Sequence, residues 1–161
     1  MNVLVCDDER QIVDSIIETL EKKTEETQVS SRFYGFSQPS QIDLSLPYDI
    51  ALLDIDMGET NGIELARKLR AENENIVIIF ITNFIQYAPE GFEVQAFRYL
   101  LKADLSAKLD SYFDSAVQEV LRQKQLVTIS INSEIIDVPV NDILYLESHR
   151  RIIVMHLLDE K

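Results

Sequence analysis

Five short strand-like segments punctuate the first hundred residues: Asn2–Cys6, Ser31–Phe36, Ile50–Leu53, Ile76–Ile81 and Ala96–Leu101. Helix-patterned sequence separates most of them. Val13, Ile16, Ile17 and Leu20 recur at i, i+3, i+4 and i+7, one face of a 3.6-residue period. Ile63, Leu65, Ala66 and Leu69 supply a second such face, and Asn61 with Glu64 three residues on marks its start as an N-cap. A short helix is expected over Gln38–Leu46, closed by Pro47, and another between Phe84 and Phe92. A long helix is expected from Ser106 to about Lys124, with Leu109, Tyr112, Phe113, Ala116 and Val120 inward. Short buried strands alternating with amphipathic helices dictate an α/β fold with a parallel sheet covered on both faces. Right-handed crossovers make that sheet open and doubly wound.

The pattern changes after Gln125. Val127–Ile131, Ile135–Val140, Ile143–Leu146 and Ile152–Leu158 follow at hairpin-like spacing with no helical period. The expected division is therefore a complete domain over residues 1–125 and a short all-β segment over residues 126–161.

Composition narrows the partners. Asp and Glu number 28 against 15 Lys and Arg, a formal charge of -13. That balance disfavours non-specific contact with nucleic acid or anionic membrane. The longest apolar run, Ile76–Ile81, is far too short for a membrane span. The N-terminus lacks signal-peptide features, so a cytoplasmic location is expected. Cys6, the single cysteine, allows no internal disulfide and reads as a small core residue.

In an open parallel sheet, ligands bind beyond the carboxyl ends of the strands, where strand order reverses. Asp7, Asp8 and Glu9 follow the first strand. Asp54, Ile55 and Asp56 follow the third, Thr82 and Asn83 the fourth, and Lys102 the fifth. Carboxylates gathered on one rim repel each other. A divalent cation resolves that repulsion, and Mg²⁺ suits a few carboxylate oxygens plus a substrate phosphate. With Lys102 and Thr82 placed to meet phosphoryl oxygens, the chemistry indicated is phosphoryl transfer onto a carboxylate.

These residues resemble the response-regulator receiver domains of two-component signalling over residues 1 to about 125. Asp7-Asp8, Asp54, Thr82 and Lys102 match that family's acidic pair, phosphoacceptor aspartate, switch hydroxyl and lysine. Phe97-Arg98-Tyr99-Leu100-Leu101-Lys102 is similar to its fifth-strand signature. The resemblance implies a flavodoxin-like strand order, 2-1-3-4-5. It implies that Asp54 accepts phosphate from a histidine kinase. Asp8, Asp54 and the backbone carbonyl of Asp56 then hold Mg²⁺, with Asp7 completing the pocket. Lys102 bridges Asp54 and phosphate, Thr82 moves toward the phosphoryl group, and Tyr99 turns inward behind it. The product is a phosphoacceptor switch, not an enzyme with turnover, and a homodimer is an expected output.

Two positions depart from the pattern. Ala103 follows Lys102 where the family has proline in a cis peptide, so either a trans bond with a reshaped loop or a strained cis bond is expected. Asn83 replaces a small residue after Thr82.

A rival likeness exists: Asp54-Ile55-Asp56 resembles the nucleophile and acid/base pair of haloacid-dehalogenase phosphohydrolases. Order argues against it, because that family carries the pair on its first strand. A phosphate-independent docking or oligomerisation module is a third reading, kept by Ala103.

The tail sequence from Asp142 to Arg150 resembles the opening of a LytTR-type DNA-binding domain. That likeness implies that His149 and Arg150 lie near a DNA-reaching loop. Residues 126–161 hold three basic and six acidic residues and about a third of such a domain, so DNA binding is expected of a fuller protein. His149 and His156, seven apart along strand-like sequence, are expected on opposite faces with structural or solvent roles.

Overall fold

Alternate side chains of a strand point to opposite faces, and this sheet uses both. The computed structural model describes residues 1–27, 29–58, 60–84, 88–131, 134–150 and 152–158. It divides into two units, Met1–Val120 and Leu121–Lys161.

The first unit runs β1 (Asn2–Cys6), α1 (Arg10–Thr27), β2 (Arg32–Phe36), β3 (Ile50–Leu53), α2 (Gly62–Glu72), β4 (Val77–Thr82), α3 (Ala88–Glu93), β5 (Arg98–Leu101) and α4 (Leu105–Gln123), whose last residues enter the second unit. The strands form one sheet in the order β2-β1-β3-β4-β5, every pairing parallel. This is the doubly wound order expected. Val3, Val5, Leu52, Ile79 and Ile81 pack on one face with Val13, Ile16, Leu20, Leu109, Phe113 and Val120 of α1 and α4. Leu4, Cys6, Leu53, Ile78 and Phe80 pack on the other with Ile63, Leu65, Ala66 and Leu69 of α2. Among the described residues, no helix is long and apolar enough to cross a membrane.

The helix expected over Gln38–Leu46 is a single 3₁₀ turn, Pro39–Gln41. Asp43 explains the failure. Its carboxylate accepts hydrogen bonds from Ser45 N (3.0 Å) and Ser45 Oγ (2.7 Å), a local turn that competes with helix. The helix expected between Phe84 and Phe92 falls partly on residues 85–87, outside the described residues; its described part is α3. For α2 the capping residue is Asn61, whose side chain accepts from Ile63 N at 2.8 Å.

The second unit contains two antiparallel hairpins, β6 (Leu126–Ile131) with β7 (Glu134–Pro139) and β8 (Ile143–His149) with β9 (Ile152–Leu157). Among its described residues, Val138 is the one buried apolar side chain, while Leu144, Leu146, Ile152 and Ile153 are more than half exposed.

The histidine expectation needs correction. His149 ends β8 and His156 lies on β9, opposite Tyr145. The chain reverses at Arg150, which adopts φ 59°, so counting parity straight through the turn fails. Both imidazoles reach the same carboxylate: Nε2 of His156 is 3.2 Å and Nε2 of His149 3.7 Å from Glu147. His156 also stacks on Tyr145, with ring centroids 4.2 Å apart.

Candidate functional site

Register brings the acidic residues together. Cys6, Leu53, Phe80 and Tyr99 are successive partners in one row across β1, β3, β4 and β5. One step further along β1 and β3 stand Asp7 and Asp54, and Asp54 N donates to Cys6 O at 2.9 Å. These strands flank the point where the sheet order reverses, and each presents its carboxylate at the carboxyl end.

Carboxylate oxygens of Asp7, Asp8 and Asp54 lie within 4.8 Å of one another. Asp7 and Asp54 are buried and Asp8 is exposed. Lys102 reaches over them from the end of β5. Its Nζ is 2.8 Å from Asp54 Oδ2 and 2.8 Å from Asp7 Oδ2. Asp54 Oδ1 accepts from Ile55 N at 2.6 Å and Asp56 N at 3.4 Å. Asp7 Oδ1 accepts from Glu9 N at 3.0 Å. Asp56 turns its side chain to solvent, pairing through its backbone with Asn61. The donor set fits a hard divalent cation: all oxygen, mostly anionic, open on the Asp8 side.

No described peptide bond is cis. Lys102 instead opens a 3₁₀ turn, Lys102–Asp104, that leads directly into α4. This is the reshaped loop of the two alternatives, and it leaves the lysine on both carboxylates.

Thr82 is fully buried, and its Oγ accepts from Phe84 N at 3.3 Å. Asn83 is exposed. Tyr99 packs on Phe80 with ring centroids 5.3 Å apart. His149 and Arg150 belong to the second unit, at the exposed end of the β8–β9 hairpin.

Two further residues complete the site: Glu9, which the sequence places on the rim without a role, and Gly62, which sequence reading missed. Glu9 Oε1 is 3.3 Å from Lys102 Nζ, a third anionic contact for that lysine. Its signal was its place on the rim beside the acidic pair. Gly62 begins α2 against the end of β3, where its N donates to Ile55 O at 2.8 Å. A Cβ there would stand 1.8 Å from Asp54 O. The sequence shows a glycine after an N-cap, and nothing local reveals that contact.

The charges are uneven. Burial raises the Asp7 carboxyl above 3.8, against the pull of Lys102 and of Glu9 N. Burial alone lowers Lys102, but hydrogen bonds to Asp54 and Asp7 outweigh it and hold the ammonium above its ordinary value. Burial, then the charges of Asp7, Asp54 and Asp8, pushes the Cys6 thiol up to about 12, so it stays protonated at neutral pH.

A carboxyl raised on folding contributes stability that is full below its unfolded value and lost as pH rises through its folded value. Ionised Asp7 therefore costs stability at neutral pH in the metal-free chain. Asp7→Asn is expected to raise metal-free stability at pH 7, an advantage that disappears toward pH 3. Denaturant melts at the two pH values check this; a less stable variant at pH 7 contradicts it.

The family model described as the response regulator receiver domain matches residues 3–113. The chain belongs to the receiver family. Among curated relatives, the sensory transduction protein LytT of Bacillus subtilis is 25% identical over 155 residues, covering 90% of this chain and 64% of that protein. LytT of Bacillus anthracis is 26% identical across 100% of this chain and 68% of its own length. The transcriptional regulatory protein YpdB of Escherichia coli is 28% identical over 64% of this chain and 48% of its own. The chain thus spans about two thirds of the LytT proteins. Among solved structures, the response regulatory domain of mrkE from Klebsiella pneumoniae matches with TM-score 0.66 at 23% identity, covering 76% of this chain and 100% of that one. TrrA from Thermotoga maritima, solved with Mg²⁺ and beryllofluoride, matches with TM-score 0.60 at 22% identity over 71% of this chain and 97% of that one. At these identities the structural matches establish the fold. As a receiver, the chain is the signalling domain of a two-component response regulator, and its acidic pocket is where such domains bind Mg²⁺.

Proposed function

We propose that this chain is a phosphorylation-dependent switch in which Asp54 takes a phosphoryl group from a histidine kinase. The observation that carries the reading is the Asp54 carboxylate, buried at a strand end with Lys102 at 2.8 Å and two further carboxylates within 4.8 Å. A carboxylate oxygen of Asp54 attacks phosphorus as the bond to the donor breaks, and the donor leaves with the electron pair. Lys102 stays between Asp54 and the developing phosphoryl charge. Asp8, Asp54 and the Asp56 carbonyl, with Asp7 behind, would hold Mg²⁺, which would supply the remaining charge neutralisation. Glu9 restrains Lys102 from the solvent side.

The buried Thr82 hydroxyl and Tyr99 form the readout. Thr82 gives up its bond with Phe84 N to reach the phosphoryl oxygen, and the Tyr99 ring, already seated against Phe80 with its hydroxyl buried, is held behind it. That local event biases the surface around α3 and β5 between two arrangements and changes dimerisation.

We assign residues 1–125 to the receiver and residues 126–161 to the opening part of a LytTR-type domain. His149 and Arg150 sit at the hairpin end where such a domain meets DNA. Their unit has a nearly empty apolar core and net negative charge, so this chain is expected to show no sequence-specific DNA binding. A salt-sensitive, sequence-specific mobility shift at sub-micromolar protein contradicts that.

The test of the phosphoacceptor role is intact-mass analysis after acetyl phosphate with Mg²⁺. One phosphate per chain is expected for the wild type and none for Asp54→Asn. Equal labelling of the two removes the assignment. Continuous turnover of phosphate monoesters favours the phosphohydrolase reading.

A further inference from the structure

Glycine is unfavourable inside a helix, yet α3 is a six-residue helix containing Gly91. The reason lies across from it. A Cβ on Gly91 would stand 2.8 Å from Tyr99 Cε2 and 3.6 Å from Phe80 Cε2. The Tyr99 ring therefore occupies the volume that any other residue at position 91 fills. Its hydroxyl oxygen is buried in this arrangement. Beside it is a hollow of about 240 Å³, lined by Gly91, Phe92, Ala96, Phe97, Arg98 and Tyr99.

The helix is not free to step aside. Arg67 of α2 pairs with Glu93 at 2.6 Å. Arg70, also on α2, spends its guanidinium on backbone carbonyls: Glu74 (2.7 Å), Ile76 (2.6 Å), Val94 (3.2 Å) and Gln95 (3.2 Å). Ala96 N closes the end by donating to Gly91 O at 3.0 Å. Two arginines thus fasten the C-terminal end of α3 and the turn after it, while the Tyr99 ring is the nearest neighbour of the missing side chain.

We infer that Gly91 is a positioning residue: its lack of a side chain makes the seat that holds Tyr99 inward, and the arginine clamp of α2 keeps that seat from opening. The inference rests on Tyr99 being the readout proposed above, and it adds a residue that sets how strongly the readout responds. A methyl group at position 91 drives the ring toward the adjoining hollow and biases the switch against its inward state.

The direct test uses the full chain carrying 3-fluorotyrosine, with Tyr99→Phe assigning the Tyr99 fluorine resonance. In the wild type that resonance is expected to be shielded from a soluble paramagnetic probe. In Gly91→Ala it becomes severalfold more sensitive. With Mg²⁺ and beryllofluoride, Gly91→Ala is expected to dimerise roughly tenfold more weakly, and in a separate sample with Mg²⁺ and acetyl phosphate it still accepts one phosphate per chain. An unmoved, still-shielded Tyr99 resonance in Gly91→Ala overturns the inference.

A stability cycle keeps the test decisive even when the single variant folds poorly. Gly91→Ala is expected to destabilise the wild type but not a Tyr99→Ala background, where the ring is gone. Equal cost in both backgrounds overturns the inference. If beryllofluoride leaves wild-type dimerisation unchanged, the readout proposal fails on its own, and the cycle still judges the seat.

Discussion

Replacing Lys102 with methionine is expected to destabilise the metal-free protein by about 3 kcal/mol and to make it strongly dependent on Mg²⁺. The lysine is nearly buried and binds Asp7 and Asp54 at 2.8 Å each. Methionine keeps most of the packing and removes the charge, so the cost is mainly electrostatic. Asp7 and Asp54 then lack their shared counter-ion, with the Asp8 carboxylate within 4.8 Å of both. Removing one partner from a buried ionic cluster is costly because the remaining charges stay desolvated. Millimolar Mg²⁺ compensates the same carboxylates and is expected to restore most of the loss. Urea melts with and without Mg²⁺ measure both effects. A variant as stable as wild type without metal contradicts the account, as does a loss that Mg²⁺ leaves unchanged.

Gly62→Ala is expected to be at least as damaging, and Mg²⁺ is not expected to rescue it. The added carbon stands 1.8 Å from Asp54 O and 2.8 Å from Asp54 C, both backbone atoms. No rotamer relieves that contact. Either α2 retreats, losing the Gly62 N to Ile55 O bond, or the backbone of Asp54 moves. Overpacking of this kind costs about 3 kcal/mol or more. The two variants therefore separate charge from shape at the same strand end. Stability of Gly62→Ala within error of wild type sinks the claim that the helix start buttresses the Asp54 backbone.

Strand-end chemistry was the most legible part of this chain. Asp7, Asp54 and Lys102 sit immediately after apolar strands, and parallel register carries them to one rim. The helix at Asn61 was legible because its cap is local. Contacts that leave no trace in the hydrophobic period were not. Asp43 folds back on Ser45 and replaces a helix with a turn, a competition invisible to periodicity. Gly62 and Gly91 each owe their identity to a residue on the neighbouring element that the fold brings against them: Asp54 for one and Tyr99 for the other. His149 and His156 were misplaced because side-chain parity holds along one strand and resets at a turn, here at Arg150. The fate of Lys102 beside Ala103 was open in the sequence, since two backbone routes deliver the same ammonium. The structure takes the trans route through a 3₁₀ turn.

The central claim is that the acyl phosphate forms at Asp54. Borohydride reduction converts an aspartyl phosphate to homoserine, and peptide mass analysis then reads the modified position. After acetyl phosphate and Mg²⁺, homoserine is expected at position 54 and nowhere else. Homoserine at Asp7, Asp8 or Asp56, or a phosphate that leaves residue 54 unreduced, contradicts the account.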